Sequence, residues 1–259
     1  MIKRSSWALP YLIFMIFFVA LPLVLILVYA LQDGSGNFSL ENVLRFFSDS
    51  DAIATFALSL EVAIENTVLC ILIGYPAAWI LANKKYNRSA VTIILFILPM
   101  WINALMRTLA TAELFNVLGI RLGKGTLLFG MVYDYLPYMI LPLYTVLSKM
   151  DPAVIEAAED LGSSKLNVLT RVIMPLSLPG VASGFTMVFV PSVSTFYISQ
   201  KLGGTNVNMI GDSIESLVKS VNTIHLGAML SLVLMVVILI CIMLMNRFSD
   251  ESDGGGIVI

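Results

Sequence analysis

Six long apolar stretches alternate with polar segments along the chain. A helix of about 20 apolar residues crosses the hydrocarbon core of a bilayer, so each stretch predicts one transmembrane helix. The bounds that this pattern predicts for the six spans are 7–31, 56–82, 90–111, 126–148, 178–200 and 226–246. We therefore expect an all-α, polytopic membrane protein with a single transmembrane domain over residues 1–248.

The polar segments differ in length and in charge. Residues 33–55 and 201–225 are loops on one side of the membrane, and residues 149–175 form a long polar interval on the other. Residues 249–259 are acidic and glycine-rich, which predicts a disordered tail. An even number of spans puts both termini on one side, and Lys and Arg are more numerous in the segments of that side. The positive-inside rule then predicts cytoplasmic termini in a bacterial inner membrane.

Composition excludes several classes of function. The chain is 58% hydrophobic and 12% charged, whereas soluble domains are about 25% charged. Cys70 and Cys241 lie inside apolar stretches, which favours buried free thiols over a disulfide. The single histidine, His225, argues against a transition-metal site. We find no HExxH, GxSxG or P-loop pattern, and therefore expect no enzyme activity, no cofactor or metal bound by this chain, and no nucleic-acid partner.

The long polar interval predicts two short helices joined by a sharp bend. Asp151 followed by Pro152 is a typical helix start, with an acidic N-cap and a proline at the first helical position. Gly162 ends this helix, and Ser164 caps a second one that we expect to end near Ile173. The predicted apolar face of the first helix consists of Val154, Ala157, Ala158 and Leu161. Periodicity alone is also typical of an ordinary amphipathic surface helix.

The same interval resembles the cytoplasmic EAA loop of binding-protein-dependent ABC import permeases. Three residues separate Glu156-Ala157-Ala158 from Gly162, and the loop closes on Val172-Ile173-Met174-Pro175, which departs from the Ile-x-Leu-Pro-like pattern at two aliphatic positions. The resemblance implies a type I importer permease fold whose coupling loop, 149–175, docks on a separate ATPase subunit that binds ATP and Mg. It further implies that Glu156 forms an ion pair in the loop or with the ATPase, and that Gly162 allows the bend.

Three local patterns resemble the spermidine/putrescine permeases, and specifically their B-type subunit. They are GYPAAW at 74–79, PMWINALMR at 99–107 and LPYMILPLY at 136–144. FYIS at 196–199, followed by two glycines, is also similar. The resemblance implies a polyamine path shared with a homologous C-type permease subunit, and two ATPase subunits that drive alternating access. It also implies an extracytoplasmic polyamine-binding protein that docks on the loops 33–55 and 201–225.

Two alternatives stay open. Permeases for phosphonates, iron or thiamine share parts of these patterns, so the cargo could be another cation or an aminophosphonate. The sequence also does not separate putrescine from spermidine. A self-sufficient secondary carrier is the alternative from another class, but the chain contains no internal repeat that would favour it.

Ionisable residues inside spans are costly, so they are candidates for a substrate path. The acids that would give an outer vestibule a negative field are Glu61, Glu65, Glu113 and Asp134. The aromatic residues that would offer cation–π contacts are Trp101, Tyr133 and Tyr197. The acids could instead lie in the headgroup region or in a solvated loop, and the aromatics could serve packing. Asn103 and Arg107 are predicted to be structural, with Arg107 paired to one of the acids.

Overall fold

The structure is a computed structural model that describes residues 9–33, 36–83, 87, 90–205 and 207–253. The α-helices, numbered along the chain, are α1 Leu9–Met15, α2 Leu21–Ala30, α3 Glu41–Ser48, α4 Ser50–Ala82, α5 Ala90–Ile97, α6 Ala104–Val117, α7 Lys124–Leu147, α8 Pro152–Asp160, α9 Lys165–Val168, α10 Met174–Leu176, α11 Leu178–Ser194, α12 Tyr197–Leu202, α13 Ile210–Val218 and α14 Ile224–Asp253. The turns that extend or join them are π-helical at Ile16–Ala20 and Leu169–Ile173 and 3-10 at Leu98–Trp101. Within the described residues, extended pairing is limited to an isolated bridge between Gln32 and Phe38. The predicted all-α class is confirmed.

The membrane-crossing helices follow the predicted order. Among the described residues, those long and apolar enough to cross a bilayer unbroken are Pro10–Ala30, Ser50–Ala82, Lys124–Leu147 and Ile224–Met245. Two pairs of helices meet the same criterion only together. Val91–Trp101 and Ala104–Val117 are bent by 87°, and Lys165–Leu176 and Leu178–Ser194 by 65°. The polytopic architecture is therefore confirmed, with six spans if each bent pair counts as one.

The third span is broken, although its predicted range 90–111 suggested one helix. A 3-10 turn follows α5 and ends at Trp101, and two extended residues separate it from the start of α6 at Ala104. Pro99 lies in that turn and lacks the N–H group that an α-helix would need at this point. Hydropathy did not reveal the break because apolar residues continue across it.

The second and fifth spans have different bounds from those predicted. The second, predicted as 56–82, begins at Ser50 because Asp49 caps it by accepting hydrogen bonds from two backbone N–H groups of the first turn. The fifth, predicted as 178–200, ends at Ser194, and two residues outside the helices then precede the separate short helix α12. Both differences lie at helix ends, where capping rather than hydropathy sets the boundary.

The first and last spans keep their predicted places. The span predicted as 7–31 is helical from Leu9, through α1, the π-helical turn and α2. The last span, predicted as 226–246, continues as α14 to Asp253. The tail that we expected to be disordered is thus helical over 249–253, and residues 254–259 lie outside the described residues.

The core is formed where α4, α7 and α11 pack against one another. Gly74 on α4 and Gly184 on α11 both face Met139 on α7, and a Cβ atom at Gly184 would lie 2.6 Å from the Met139 sulfur. Gly180 likewise lies against the backbone of Leu143. Small residues at such contacts let transmembrane helices approach closely, which is the main source of packing energy in lipid. Cys70 is buried in this core and Cys241 is partly buried, and both thiols are free, as predicted.

Buried polar groups fix the register of α11 against α4. Asn66 Nδ2 donates to Ser192 Oγ at 2.7 Å, joining α4 to α11. A second hydrogen bond, of 2.8 Å, joins the Tyr75 hydroxyl to Ser177 Oγ at the other end of the same contact. Polar side chains that pair across helices avoid an unsatisfied group in a low-dielectric interior. The two bonds hold α11 antiparallel to α4.

The bundle has two distinct ends. The end with α8, α9 and α10 contains the loop 149–175 for which the resemblance implies coupling, and we name it the coupling end. The end with α12 and α13 is the distal end. At the distal end, Ser59 Oγ accepts from the Ile210 N–H at 2.7 Å, and Asp212 accepts from Ser199 Oγ at 2.7 Å and from the Met209 N–H at 2.9 Å. Burial raises the pKa of the Asp212 carboxyl, and the two donors partly offset that shift.

The first helix lies largely apart from the core. The side chains of Pro10–Ala30 are exposed along most of their length, and Ala30 is buried only where α2 meets α14. There it packs with Ala228 and Met229, and His225 Nδ1 lies 3.0 Å from the Tyr29 carbonyl oxygen. An apolar helix exposed on almost all sides needs lipid or another protein around it.

Candidate functional site

The first helix of the coupling end has well-defined caps at both ends. Asp151 Oδ1 accepts from the Ala153 N–H at 2.9 Å, which caps the start of α8. At the other end, the Ser163 N–H donates to the Ala158 carbonyl at 3.2 Å and the Gly162 N–H to the Glu159 carbonyl at 2.9 Å. This pair of bonds is the Schellman motif, which needs a left-handed residue between them. Gly162 supplies it with φ of +79°.

The second half of the coupling end differs from the prediction. Ser164 Oγ accepts from the Asn167 N–H at 3.4 Å and caps α9, as expected. The helix does not end near Ile173, however, because a π-helical turn carries it into α10, with Pro175 in its first turn. The wider π turn avoids the clash that a proline ring makes with the carbonyl of a regular α-helix. The coupling end is therefore connected to α11 with only a bend at Ser177.

The apolar face predicted for α8 is only partly right. Ala158 packs inward, but its inward companion is Ile155 rather than the predicted residues. Val154 is 42% exposed and Leu161 is 87% exposed. Ala157 and Glu156 are also exposed. The helix thus has two apolar sides, and within the described residues nothing covers the outer one.

Polar and aromatic groups lie around the bend in the third span. Asn103 Oδ1 accepts from the Leu105 N–H at 2.9 Å and caps α6 immediately after the break. Trp101, the last residue before the break, is 87% exposed. The Tyr197 hydroxyl donates to the Leu105 carbonyl at 2.6 Å, which ties α12 to the first turn of α6.

Arg107 and Asp134 form a buried ion pair between α6 and α7. Arg107 Nη2 lies 2.9 Å from Asp134 Oδ1, and the two side chains are 5% and 3% exposed. Thr108 Oγ1 donates to Asp134 Oδ2 at 3.0 Å. The guanidinium also lies 5.4 Å from the centre of the Tyr133 ring, within cation–π range. Of the two roles that the sequence left open for Asp134, the structure shows the pairing with Arg107.

Glu61 and Glu65 converge on Lys124, which lies just outside the predicted span 126–148. Lys124 Nζ lies 2.6 Å from Glu61 Oε1 and 2.9 Å from Glu65 Oε1. Lys124 is the first residue of α7, beside the two acids on parallel α4. The cluster carries a net charge of about −1, since two carboxylates share one ammonium. The spacing of the acids alone could not identify their partner, which is distant in sequence.

The predicted path acids therefore do not form one site. Asp134 lies with Arg107 inside the bundle, and Glu61 and Glu65 lie with Lys124 near the distal end. Glu113 is exposed on α6, away from these ion pairs. Among the described residues no group of three or more His, Cys, Asp or Glu side chains could hold a metal ion. The acids predicted to line a path thus lie in separate places and do not form a single binding centre.

The chain is similar in sequence to known importer permeases. Residues 3–251 match the family of the binding-protein-dependent transport system inner membrane component. The chain is 33% identical to the spermidine/putrescine transport system permease protein PotB of Escherichia coli, over 77% of this chain and 78% of that protein. It is 30% identical to PotC of Shigella flexneri, over 77% of this chain and 76% of that protein.

The fold has a solved relative. The chain superimposes on a subunit of a bacterial alginate ABC transporter with a TM-score of 0.67 and 15% identity, over 95% of this chain and 93% of that one. The family match, the multi-pass helical architecture and this shared fold agree with one another. The chain is an inner-membrane importer permease of the type I fold, and it belongs to the family of binding-protein-dependent transport system inner membrane components.

Proposed function

We propose that this chain forms half of the translocation path of an ATP-driven importer for polyamines. The observation that supports this cargo most directly is the similarity to both permease subunits of spermidine/putrescine systems over about three quarters of the chain. The other half of the path would come from a homologous C-type permease. An extracytoplasmic polyamine-binding protein would dock at the distal end, on the loops 33–55 and 201–225.

The coupling end is suited to transmit force from a separate ATPase. The capped helix α8 presents Leu161, Val154 and Glu156 outward, and its inner side packs on the core through Ile155 and Ala158. A helix seated in a partner groove transmits a rigid-body push. Two such ATPase subunits, one for each permease, would bind ATP and Mg and drive alternating access. With the coupling end in the cytoplasm, both termini would be cytoplasmic.

The path itself would pass the bend of the third span. Asp134 is neutralised by Arg107 and is therefore a weak attractant for a cation. The exposed faces of Trp101 and Tyr133 are better placed to contact ammonium groups and methylene carbons. The net negative charge of Glu61, Glu65 and Lys124 would attract a polycation at the distal entrance.

Uptake of labelled spermidine and putrescine should be measured in cells with and without this gene, before and after ATP depletion. We expect deletion to abolish ATP-dependent uptake of at least one label, and plasmid-borne wild-type protein to restore it. Unchanged uptake in a strain without other polyamine transporters would contradict the cargo. In that case a competition panel of other cations and an aminophosphonate would identify the substrate.

A further inference from the structure

A long groove opens between the distal half of α14 and the helix α13. Its volume is about 580 Å³, and its lining is almost entirely apolar. Leu234 lies at its buried base, while Ile238, Leu239 and Ile214 form its sides. None of these side chains takes part in the coupling end or in the ion pairs near the bend. Within the described residues, no other segment of the chain fills the groove.

The groove runs in the direction of a lipid tail. Its lining on α14 extends from Ser231 to Leu239, which corresponds to about 12 Å along the helix axis. One leaflet of the hydrocarbon core is about 15 Å thick, half of the whole. A groove along a membrane-spanning helix is parallel to the acyl chains beside it, and the length of this groove is close to the thickness of one leaflet.

The charges at the groove lie at one end only. Glu215 and Lys219 line it on α13, and they form an ion pair one helical turn apart. Lys219 is 71% exposed. It directly precedes the turn that leads into α14, so its ammonium lies at the level where that span leaves the bilayer. A lipid in the groove would therefore place its phosphate near a cation and its tail against apolar walls.

We propose that this groove is a binding site for one glycerophospholipid, with an acyl chain beside Leu234 and Ile238 and the phosphate near Lys219. Water would occupy the groove at a high cost because its walls are apolar and lie at bilayer depth. The Lys219 ammonium has three N–H donors, so it can contact a phosphate as well as Glu215. A polyamine would find only this one, already paired carboxylate in an otherwise apolar groove. The site is independent of the cargo.

Native mass spectrometry of the assembled, detergent-extracted transporter would test this site by counting phospholipids that stay bound. Ser231→Phe fills the groove, and we expect it to retain one phospholipid fewer per copy of this chain. Lys219→Glu puts an anion beside the phosphate, and we expect a several-fold lower retained fraction. The matched controls are Val236→Phe on an exposed part of α14 outside the groove, and Lys201→Glu on α12. Both controls should retain lipid as the wild type does.

Two outcomes would overturn the assignment. Equal phospholipid retention in wild type, Ser231→Phe and Lys219→Glu would show that the groove holds no specific lipid. Loss of the second permease from the complex in Ser231→Phe, with lipid retention unchanged in Lys219→Glu, would show that a partner helix fills the groove. The lysine variant is exposed, so it should fold even if the phenylalanine variant does not.

Discussion

Arg107 and Asp134 are paired at 2.9 Å in a place that solvent does not reach. Nε and Nη1 of Arg107 find no acceptor among the described residues, so the guanidinium depends on this one carboxylate and on the Tyr133 ring. A buried pair contributes little net stability, yet loss of one partner leaves an uncompensated charge. The pair therefore makes the contact of α6 with α7 sensitive to single substitutions.

Asp134→Ala should destabilise the assembled transporter by about 3–5 kcal/mol because Arg107 would then be buried without a partner. The double variant Arg107→Met/Asp134→Leu should recover most of this loss. Thermal unfolding of the purified complex in nanodiscs measures both effects. A single variant as stable as wild type, or a double variant worse than either single, would contradict the structural role of the pair.

Leu161→Asp should disrupt the attachment of the ATPase without affecting the fold, because this side chain is 87% exposed. We expect the permease to reach the membrane in normal amounts but to lose most of the ATPase on co-purification. Val221→Asp is the matched control, since Val221 is 85% exposed at the distal end. Equal ATPase recovery from the two variants would exclude α8 as the docking element.

Gly162→Val should uncouple ATP hydrolysis from transport. A β-branched residue at a φ of +79° is strained, and the left-handed conformation costs about 1–2 kcal/mol even for ordinary residues. The Schellman end of α8 would then rearrange. Gly119 has a similar φ of +68° and equally open space, but it lies in the turn between α6 and α7, outside the coupling end and the proposed docking loops.

The readout is ATP hydrolysis stimulated by the cargo-loaded binding protein in proteoliposomes. We expect Gly162→Val to lose stimulation and Gly119→Val to keep it, although both place a β-branched residue at a positive φ. Loss of stimulation in both variants would point to general destabilisation instead of a specific coupling defect.

Substitutions at the Lys124 cluster should change the salt dependence of uptake. Glu61→Gln/Glu65→Gln removes two negative charges, so we expect a few-fold slower polyamine uptake at low ionic strength and a weaker salt dependence. Lys124→Gln should have the opposite effect because it leaves two unneutralised carboxylates. Lys124→Arg, which keeps the net charge of the cluster, is the control. If uptake by all these variants depended on ionic strength in the same way as the wild type, the cluster would not be part of the entrance.

The sequence predicted the number and order of the spans because apolar length is a strong local signal. It missed the break after Trp101 and the end of α11 at Ser194. Apolar residues continue past both points, so hydropathy does not reveal that the helix ends there. The predicted ion pair of Arg107 with an acid is confirmed, but its partner depended on how α6 and α7 pack. Lys124 was missed for the same reason, as it lies about 60 positions from its partners.

The α8 face was predicted only in part because periodicity defines a stripe but not which side of it meets the core. Val154 and Leu161 share the stripe with Ala158, yet they are exposed, whereas Ala158 and Ile155 pack on the core. Sequence patterns identify such an element well. Which side of it meets the core depends on tertiary packing that periodicity does not contain.

The packing of Ala30 against Ala228 and Met229 has a consequence for the biogenesis of the protein. The span Pro10–Ala30 contacts mainly the span of α14, so this contact can form only after the roughly 200 residues between them have been synthesised. Contacts between such distant segments form late. During synthesis, Pro10–Ala30 therefore stays in the lipid without its partner helix until α14 has been inserted.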